Sequence, residues 1–215
     1  MATQISLRER KKQQTRDALV DTALALFTER GFDGVTLDEL CETVEVSKRT
    51  FFRNFSSKEE VASAPLEAMW RLFLDTMETL PLDRAPVLDL LRDTLLAVLD
   101  QMAEDERWVG RVRLNQRLTE RTPSITAHGL HFCARTSAEV ETTLHRRLGL
   151  DSRDPRLRLV LEMAVAAFHA ALRAWIAEPG RPSHAALTAE VRTAFAAIPA
   201  AITLSAAPST REVSP

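Results

Sequence analysis

Apolar residues in this chain recur at intervals of three and four wherever they cluster, and they never alternate with polar ones over a strand's length. Such a pattern builds helices with one buried face and gives no half-buried strand. Leu88, Leu91, Leu95, Val98, Leu99 and Met102 step along one side of a segment whose other side carries Asp89, Arg92, Asp93 and Asp100. The stripe Leu157, Val160, Leu161, Ala164, Val165, Phe168, Leu172 and Trp175 is wider and implies burial on more than one side. Only 6 glycines in 215 residues leave too few turns for a β fold. The chain is expected to be all-α, with about nine helices.

Capping residues and breakers set the boundaries. Leu19, Val20, Ala23, Leu26 and Phe27 lie in a first helix from about Leu7 to Arg30, with Gly31 as its stop. Thr36 with Glu39 three residues on forms a capping box before Leu37, Leu40 and Val44. Ser47 opens a third helix and Ser57 a fourth, the latter running toward Pro81 with Pro65 marking a bend or break. Further helices are expected from Pro86 to about Ala103, around Trp108 to Leu118, and from Pro123 to Leu148, with Gly149 as the stop and Gly129 as a point of interruption. Asp154 to Glu178 forms the next, ended by Pro179-Gly180, and Ser183 opens the last, which Pro199 should bend or end. The Ser/Pro/Thr-rich stretch 206–215 reads as a disordered tail.

Charge excludes a globally basic nucleic-acid or membrane binder: 28 Lys+Arg against 30 Asp+Glu give −2. Two cysteines, Cys41 and Cys133, have neither disulfide-framework nor zinc spacing, and no apolar run approaches a membrane span. A reducing, cytoplasmic setting without membrane contact is expected. No Gly-rich phosphate loop, nucleophile elbow or Ser/His/Asp constellation is present, which argues against an enzyme and gives no cofactor motif.

The informative segment is 36–55. It reads helix, three-residue turn, helix, with Leu40 and Val46 spaced to pack the pair together, the layout of a helix-turn-helix. Residues 1–60 are nearly neutral, with 10 basic and 11 acidic groups, but the charges are sorted. Residues 8–16 hold five basic and one acidic residue, and 48–58 hold Lys48, Arg49, Arg53 and Lys58 with no acid. Runs of charge usually mark solvated faces; here the cationic run coincides with the second helix of the pair.

The run RDALVDTALALFTERGFDGVTLDELC, followed by VSKRTFFRNFSSKEE, resembles the N-terminal domain of tetracycline-repressor-type (TetR) transcriptional regulators. Ala23, Phe27, Gly31, Thr36, Leu40, Ser47, Thr50, Phe55, Lys58 and Glu59 stand where that family's pattern expects them. The resemblance implies a helix-turn-helix domain over 1–56 and a helical effector-binding and dimerisation domain over 57–205. It implies a homodimeric, ligand-responsive repressor on a palindromic double-stranded DNA operator, with a small-molecule effector and no further cofactor. A transcriptional activator, or a helical adaptor for an acidic protein, are the alternatives.

Carried over, Arg16, Thr36, Ser47, Lys48, Arg49, Thr50, Phe52, Arg53, Asn54 and Lys58 form the DNA-binding set. Thr36 and Lys58 are expected on phosphates, and Arg49 on a guanine, where a guanidinium takes O6 and N7 together. Three positions depart from the family. Glu45 replaces the usual turn glycine, at about 1–2 kcal/mol if the backbone there is left-handed. Arg49 replaces a small residue, and Phe52 replaces a frequent tyrosine in a chain with no tyrosine at all. Phe51 and Phe55 read as core.

Residues 61–215 carry 18 basic and 19 acidic groups and no phosphate-binding signature. The last two helices, rich in alanine, are expected to form the two-fold interface. The apolar, aromatic and polar candidates for an effector pocket are Met102, Trp108, Arg113, His128, Phe132, Phe168, His169 and Trp175. His128 and His131 share a helical spacing, but without a nearby carboxylate they are not read as a metal site.

Overall fold

A computed structural model describes residues 6–81, 85–151, 153–178, 180 and 183–205. Among them are nine α-helices and no strand: α1 (Leu7–Arg30), α2 (Leu37–Thr43), α3 (Lys48–Phe52), α4 (Lys58–Thr79), α5 (Val87–Met102), α6 (Trp108–Arg121), α7 (Pro123–Leu148), α8 (Pro155–Ala177) and α9 (His184–Ile202). The expected tail at 206–215 and the stop residue Pro179 lie outside the described residues.

The helix starts follow the caps. Ser6, Thr36, Ser47, Ser57, Asp154 and Ser183 each accept a backbone N–H of the helix they precede. Left-handed Gly149 ends α7. Three expected breaks do not occur. Gly129 sits inside an uninterrupted α7, and α9 runs through Pro199 to Ile202. Pro65 lies within α4, where an interior proline costs about 3 kcal/mol. Its surroundings hold the helix: Val61, Ala62, Ala64 and Met69 are all buried, and the Trp108 indole N–H donates to the Pro65 carbonyl at 3.0 Å.

Two cores result. The first gathers Leu19, Leu24 and Phe27 of α1, Leu40 of α2, Phe51 of α3 and Phe55, and is closed by Val61, Ala62 and Ala64 of α4 with Leu118 and Ile125. The second runs from Met69, Phe73 and Met77 through α5 to Phe168, Leu172 and Trp175 of α8 and Phe195 of α9. α4 belongs to both, so the helix-turn-helix head is built on a helix whose far half sits in the larger body. α6 is tied to the same helix from the side, since Asn115 Nδ2 donates to the Ala62 carbonyl at 2.9 Å.

α8 and α9 are long and apolar enough to cross a membrane by length and composition, yet only 39% and 22% of their most apolar windows are buried in the chain. Exposed Leu159, Ala166, Ala170, Ala174 and Ala177 line one side of α8, and exposed Ala185, Ala189, Ala196 and Ala200 line α9.

Candidate nucleic-acid interface and effector cleft

The α2–turn–α3 unit is closed by local hydrogen bonds. The Thr36 hydroxyl accepts the Glu39 N–H at 3.2 Å and donates to Glu39 Oε2, which also takes the Thr36 N–H at 2.8 Å. Those contacts, with Arg30 Nη2 on Oε1 at 2.9 Å, hold the Glu39 carboxyl down to about 2, the Thr36 backbone N–H being the largest cause. In the turn, Glu45 has φ 57°, the left-handed conformation for which a glycine is usual. Val46 N–H then returns to the Cys41 carbonyl at 2.9 Å and aims the chain into Ser47. The Ser47 hydroxyl caps Thr50 N–H at 3.1 Å and lies 3.0 Å from the Thr50 hydroxyl.

α3 is thereby presented with one face inward and one face out. Phe51 is buried and Phe55 nearly so, as their spacing implies. Lys48, Arg49, Phe52 and Arg53 are exposed, and Phe52, with 56% of its surface open, stands edge-on to Phe51. Lys48 pairs with Asp38 of α2 at 2.6 Å, whose carboxylate raises the ammonium's pKa. Arg49 and Arg53 make no ion pair among the described residues, so both guanidiniums are free to meet a polyanion.

Three members of the expected DNA-binding set are placed differently from the sequence reading. Asn54 is nine-tenths buried and its Nδ2 donates back to the Thr50 carbonyl at 2.8 Å. Arg16 donates through Nη1 to the Asn54 carbonyl at 2.7 Å, with its guanidinium 4.1 Å from the centre of the Phe55 ring. The Lys58 ammonium donates to the carbonyls of Phe32 and Val35 at 2.7 and 2.5 Å and lies over the Phe32 ring. Arg16 therefore ties α1 to the residues that follow α3, and Lys58 ties the start of α4 to the segment between α1 and α2, work that a linear pattern cannot distinguish from phosphate binding.

The body holds a cleft of about 340 Å³ between α4, α6, α7 and α8, within the range of small-molecule sites. Its apolar walls include Leu66, Trp70, Ile125, Phe132, Phe168 and Leu172, and Trp70 meets Phe168 edge-to-face at 5.1 Å. Of the eight expected ligand residues, Phe132, Phe168 and His169 line it. Desolvation lowers the His169 pKa, and Arg173 adds to the effect. Met102, Trp108, Arg113, His128 and Trp175 do not line it. Trp108 and Trp175 are buried core residues, Met102 packs at the edge of the larger core, and Arg113 donates to the Gly180 carbonyl at 2.6 Å.

His128 corrects the sequence reading, because a carboxylate does lie beside it. Glu67 Oε1 is 2.7 Å from His128 Nε2, while Glu67 Oε2 accepts from Arg71 at 2.5 Å. Glu67 lines the cleft and only 3% of it is exposed. Among the described residues no group of three or more His, Cys, Asp or Glu is placed to hold a metal. Glu67, Trp70, Asn115, Cys133 and Arg173 line the cleft without having been singled out from the sequence. The signal for Trp70 was the apolar face of α4, which by itself is indistinguishable from ordinary core.

Comparison with known proteins agrees with this geometry. Residues 19–64 match the model described as bacterial regulatory proteins, tetR family, and residues 85–202 match the MftR C-terminal domain. The chain is 38% identical over 177 residues, 79% of its length and 76% of the relative's, to the HTH-type transcriptional regulator TcmR of Streptomyces glaucescens. It is 26% identical over 133 residues, 62% of its length and 66% of the relative's, to IcaR of Staphylococcus epidermidis, a negative transcriptional regulator of a biofilm operon. The fold is similar to that of SmeT in its complex with triclosan, with a TM-score of 0.57 and 23% identity, covering 87% of this chain and 91% of that one. All of these relatives named by function are transcriptional regulators and not enzymes. The chain belongs to the tetR family of bacterial regulatory proteins, DNA-binding regulators of transcription with a helix-turn-helix head and a helical C-terminal domain.

Proposed function

We propose that this regulator is a homodimeric repressor that binds a palindromic operator through α3 and leaves it when a small organic effector fills the cleft. The observation that carries the reading is the outward face of α3, where Arg49 and Arg53 stand unpaired beside Phe52 on a helix fixed by Ser47 and Phe51. In this reading Arg49 takes the O6 and N7 of a guanine, Thr50 or Phe52 touches a thymine methyl, and Lys48 reaches a phosphate once released from Asp38. Thr36 and Ser47 contribute at the helix starts they cap. Arg16, Asn54 and Lys58 act mainly by holding α3 in place.

Dimerisation is assigned to α8 and α9. Their exposed alanines let two further helices approach closely, which suits a four-helix bundle about a two-fold axis and covers the apolar surface that the single chain leaves open. Two α3 helices then lie about 34–36 Å apart, one turn of DNA. That apolar surface is taken as a protein interface and not a membrane contact, and the protein as cytoplasmic. Repression is supported by IcaR, named a negative regulator, and an effector by the triclosan complex of SmeT. No cofactor beyond the effector is proposed.

The test is selection of purified protein against a random duplex pool at about 150 mM salt, where purely electrostatic binding is weak. Enrichment of a palindrome supports the reading, and its half-site spacing measures the separation of the two α3 helices. Failure of a folded, effector-free protein to enrich any sequence overturns it.

A further inference from the structure

Two charged side chains, Glu67 and Arg173, line the cleft between α4, α6, α7 and α8, and the chain itself answers the first of them. Glu67 is 3% exposed, with His128 on one carboxylate oxygen at 2.7 Å and Arg71 on the other at 2.5 Å. Arg173 of α8 stands at the exposed edge of the same cleft and makes no hydrogen bond or ion pair among the described residues. His169, one turn earlier on α8, also lines the cleft, and its ring nitrogens make no hydrogen bond among the described residues. Burial, and after it the charge of Arg173, lowers the His169 pKa, so at neutral pH the imidazole is uncharged and offers one N–H.

The apolar surface leads inward from that edge. Trp70 and Phe168 meet edge-to-face at 5.1 Å and line the cleft with Leu66 and Leu172. Trp70 and Cys133 also border a narrower apolar space of about 30 Å³ toward Phe73, Leu91 and Phe195. Walls of this kind favour a ring system. The Glu67 carboxylate, already paired, leaves no unanswered negative charge for a cationic ligand. The α8 edge instead sets a guanidinium and an imidazole N–H four residues apart, on one face of a helix.

We propose that the effector is an organic acid, with an aromatic or alicyclic body against Trp70 and Phe168 and a carboxylate held by the Arg173 guanidinium and the His169 ring N–H. A guanidinium matches a carboxylate with two parallel N–H donors, so a single acid group satisfies the charge that the chain leaves open. The inference rests on the cleft being the effector site.

The experiment is calorimetric titration of the purified full chain at neutral pH, to millimolar ligand, with naphthalene-2-carboxylate, naphthalene-2-carboxamide and naphthalen-2-ylmethylammonium. The three share one ring body and differ in charge. The acid is expected to bind about five- to tenfold more tightly than the amide, because the contact is charge-assisted but sits at a partly solvated edge. Arg173→Gln is expected to bring that ratio toward one, and Arg173→Lys to keep a preference for the acid. Arg153→Gln removes an exposed cation outside the cleft and is expected to leave the ratio unchanged. Trp70→Leu should weaken acid and amide alike, with sedimentation confirming the wild-type mass in every variant. An ammonium that binds tightest, or an acid preference that survives Arg173→Gln, overturns the proposal. So does a wild type without acid preference whose Arg173→Gln variant loses mass, which would assign Arg173 to an acid of a second copy. Equal binding of acid and amide, with both releasing the selected operator, overturns the acid and leaves the effector cleft standing. Binding of none of the three overturns both.

Discussion

Arg111 of α6 grips both carboxylate oxygens of Asp21 of α1 along one edge, Nε donating to Oδ1 at 2.5 Å and Nη2 to Oδ2 at 2.8 Å, while its Nη1 donates to Asp105 Oδ2 at 2.9 Å. The guanidinium is nearly buried and its pKa is raised, first by the hydrogen bond to Asp21. α6 also lines the cleft between α4, α6, α7 and α8 through Asn115, Gln116 and Thr119, so one helix touches both the cleft and the head. Removing a partner from a buried pair commonly costs about 3–5 kcal/mol, but Asp21 keeps more than a third of its side chain in water. Arg111→Met is therefore expected to lower stability by about 2 kcal/mol in urea unfolding and to speed amide exchange in α1. A change below about 0.5 kcal/mol, typical of a surface substitution, would show that the clamp does not join head to body.

The Thr36–Glu39 capping box gives a pH dependence of defined sign. Glu39 has a folded pKa of about 2 against an ordinary 4.5, so the unfolded chain takes up the proton first as acid is added. Its stabilisation is complete above about pH 4.5 and is lost as pH falls from there through about 2. The gap in Tm between wild type and Glu39→Gln should be widest near neutrality and shrink across that window. A gap independent of pH contradicts the assignment.

Glu45 carries a backbone cost that glycine would remove. A left-handed residue with a Cβ costs about 1–2 kcal/mol, and glycine returns part of that gain through the freedom it adds to the unfolded chain. Glu45→Gly is expected to raise the urea-unfolding free energy by about 1 kcal/mol without altering helix content. Destabilisation would mean that the turn depends on the Glu45 side chain.

The interface assigned to α8 and α9 predicts a dimer that a single charge disrupts. Ala170 lies exposed on α8 amid its alanine stripe, and a carboxylate there would be forced into an apolar contact. Wild type should sediment at twice the chain mass and Ala170→Glu at the chain mass at micromolar concentration, with operator affinity falling alongside. A variant that sediments as the wild type places the interface elsewhere.

The helices were legible because their signals are local: Ser6 apart, the caps at Thr36, Ser47, Ser57, Asp154 and Ser183 were readable from two or three neighbours, and each sits where a helix begins. Pro65 misled because tertiary burial and the Trp108 hydrogen bond override a local preference; the continuation of α9 through exposed Pro199 has no such contact behind it. The exposed face of α3 followed from periodicity. Arg16 and Lys58 did not, since their partners are a carbonyl 38 residues away for Arg16 and carbonyls 26 and 23 residues away for Lys58. The Glu67–His128 contact spans 61 residues and the Arg111–Asp21 clamp 90, distances over which one sequence carries no pairing signal.

Sequence readout by Arg49 is the central claim, and the most direct measurement is the affinity ratio between the selected operator and a copy in which the half-site guanine facing α3 is replaced. A bidentate arginine–guanine contact is worth about 1–3 kcal/mol, so the wild-type ratio should be about fivefold to a hundredfold and should collapse toward one in Arg49→Ala. An unchanged ratio in Arg49→Ala, with the variant folded and dimeric, would contradict the account and assign readout to another residue of α3.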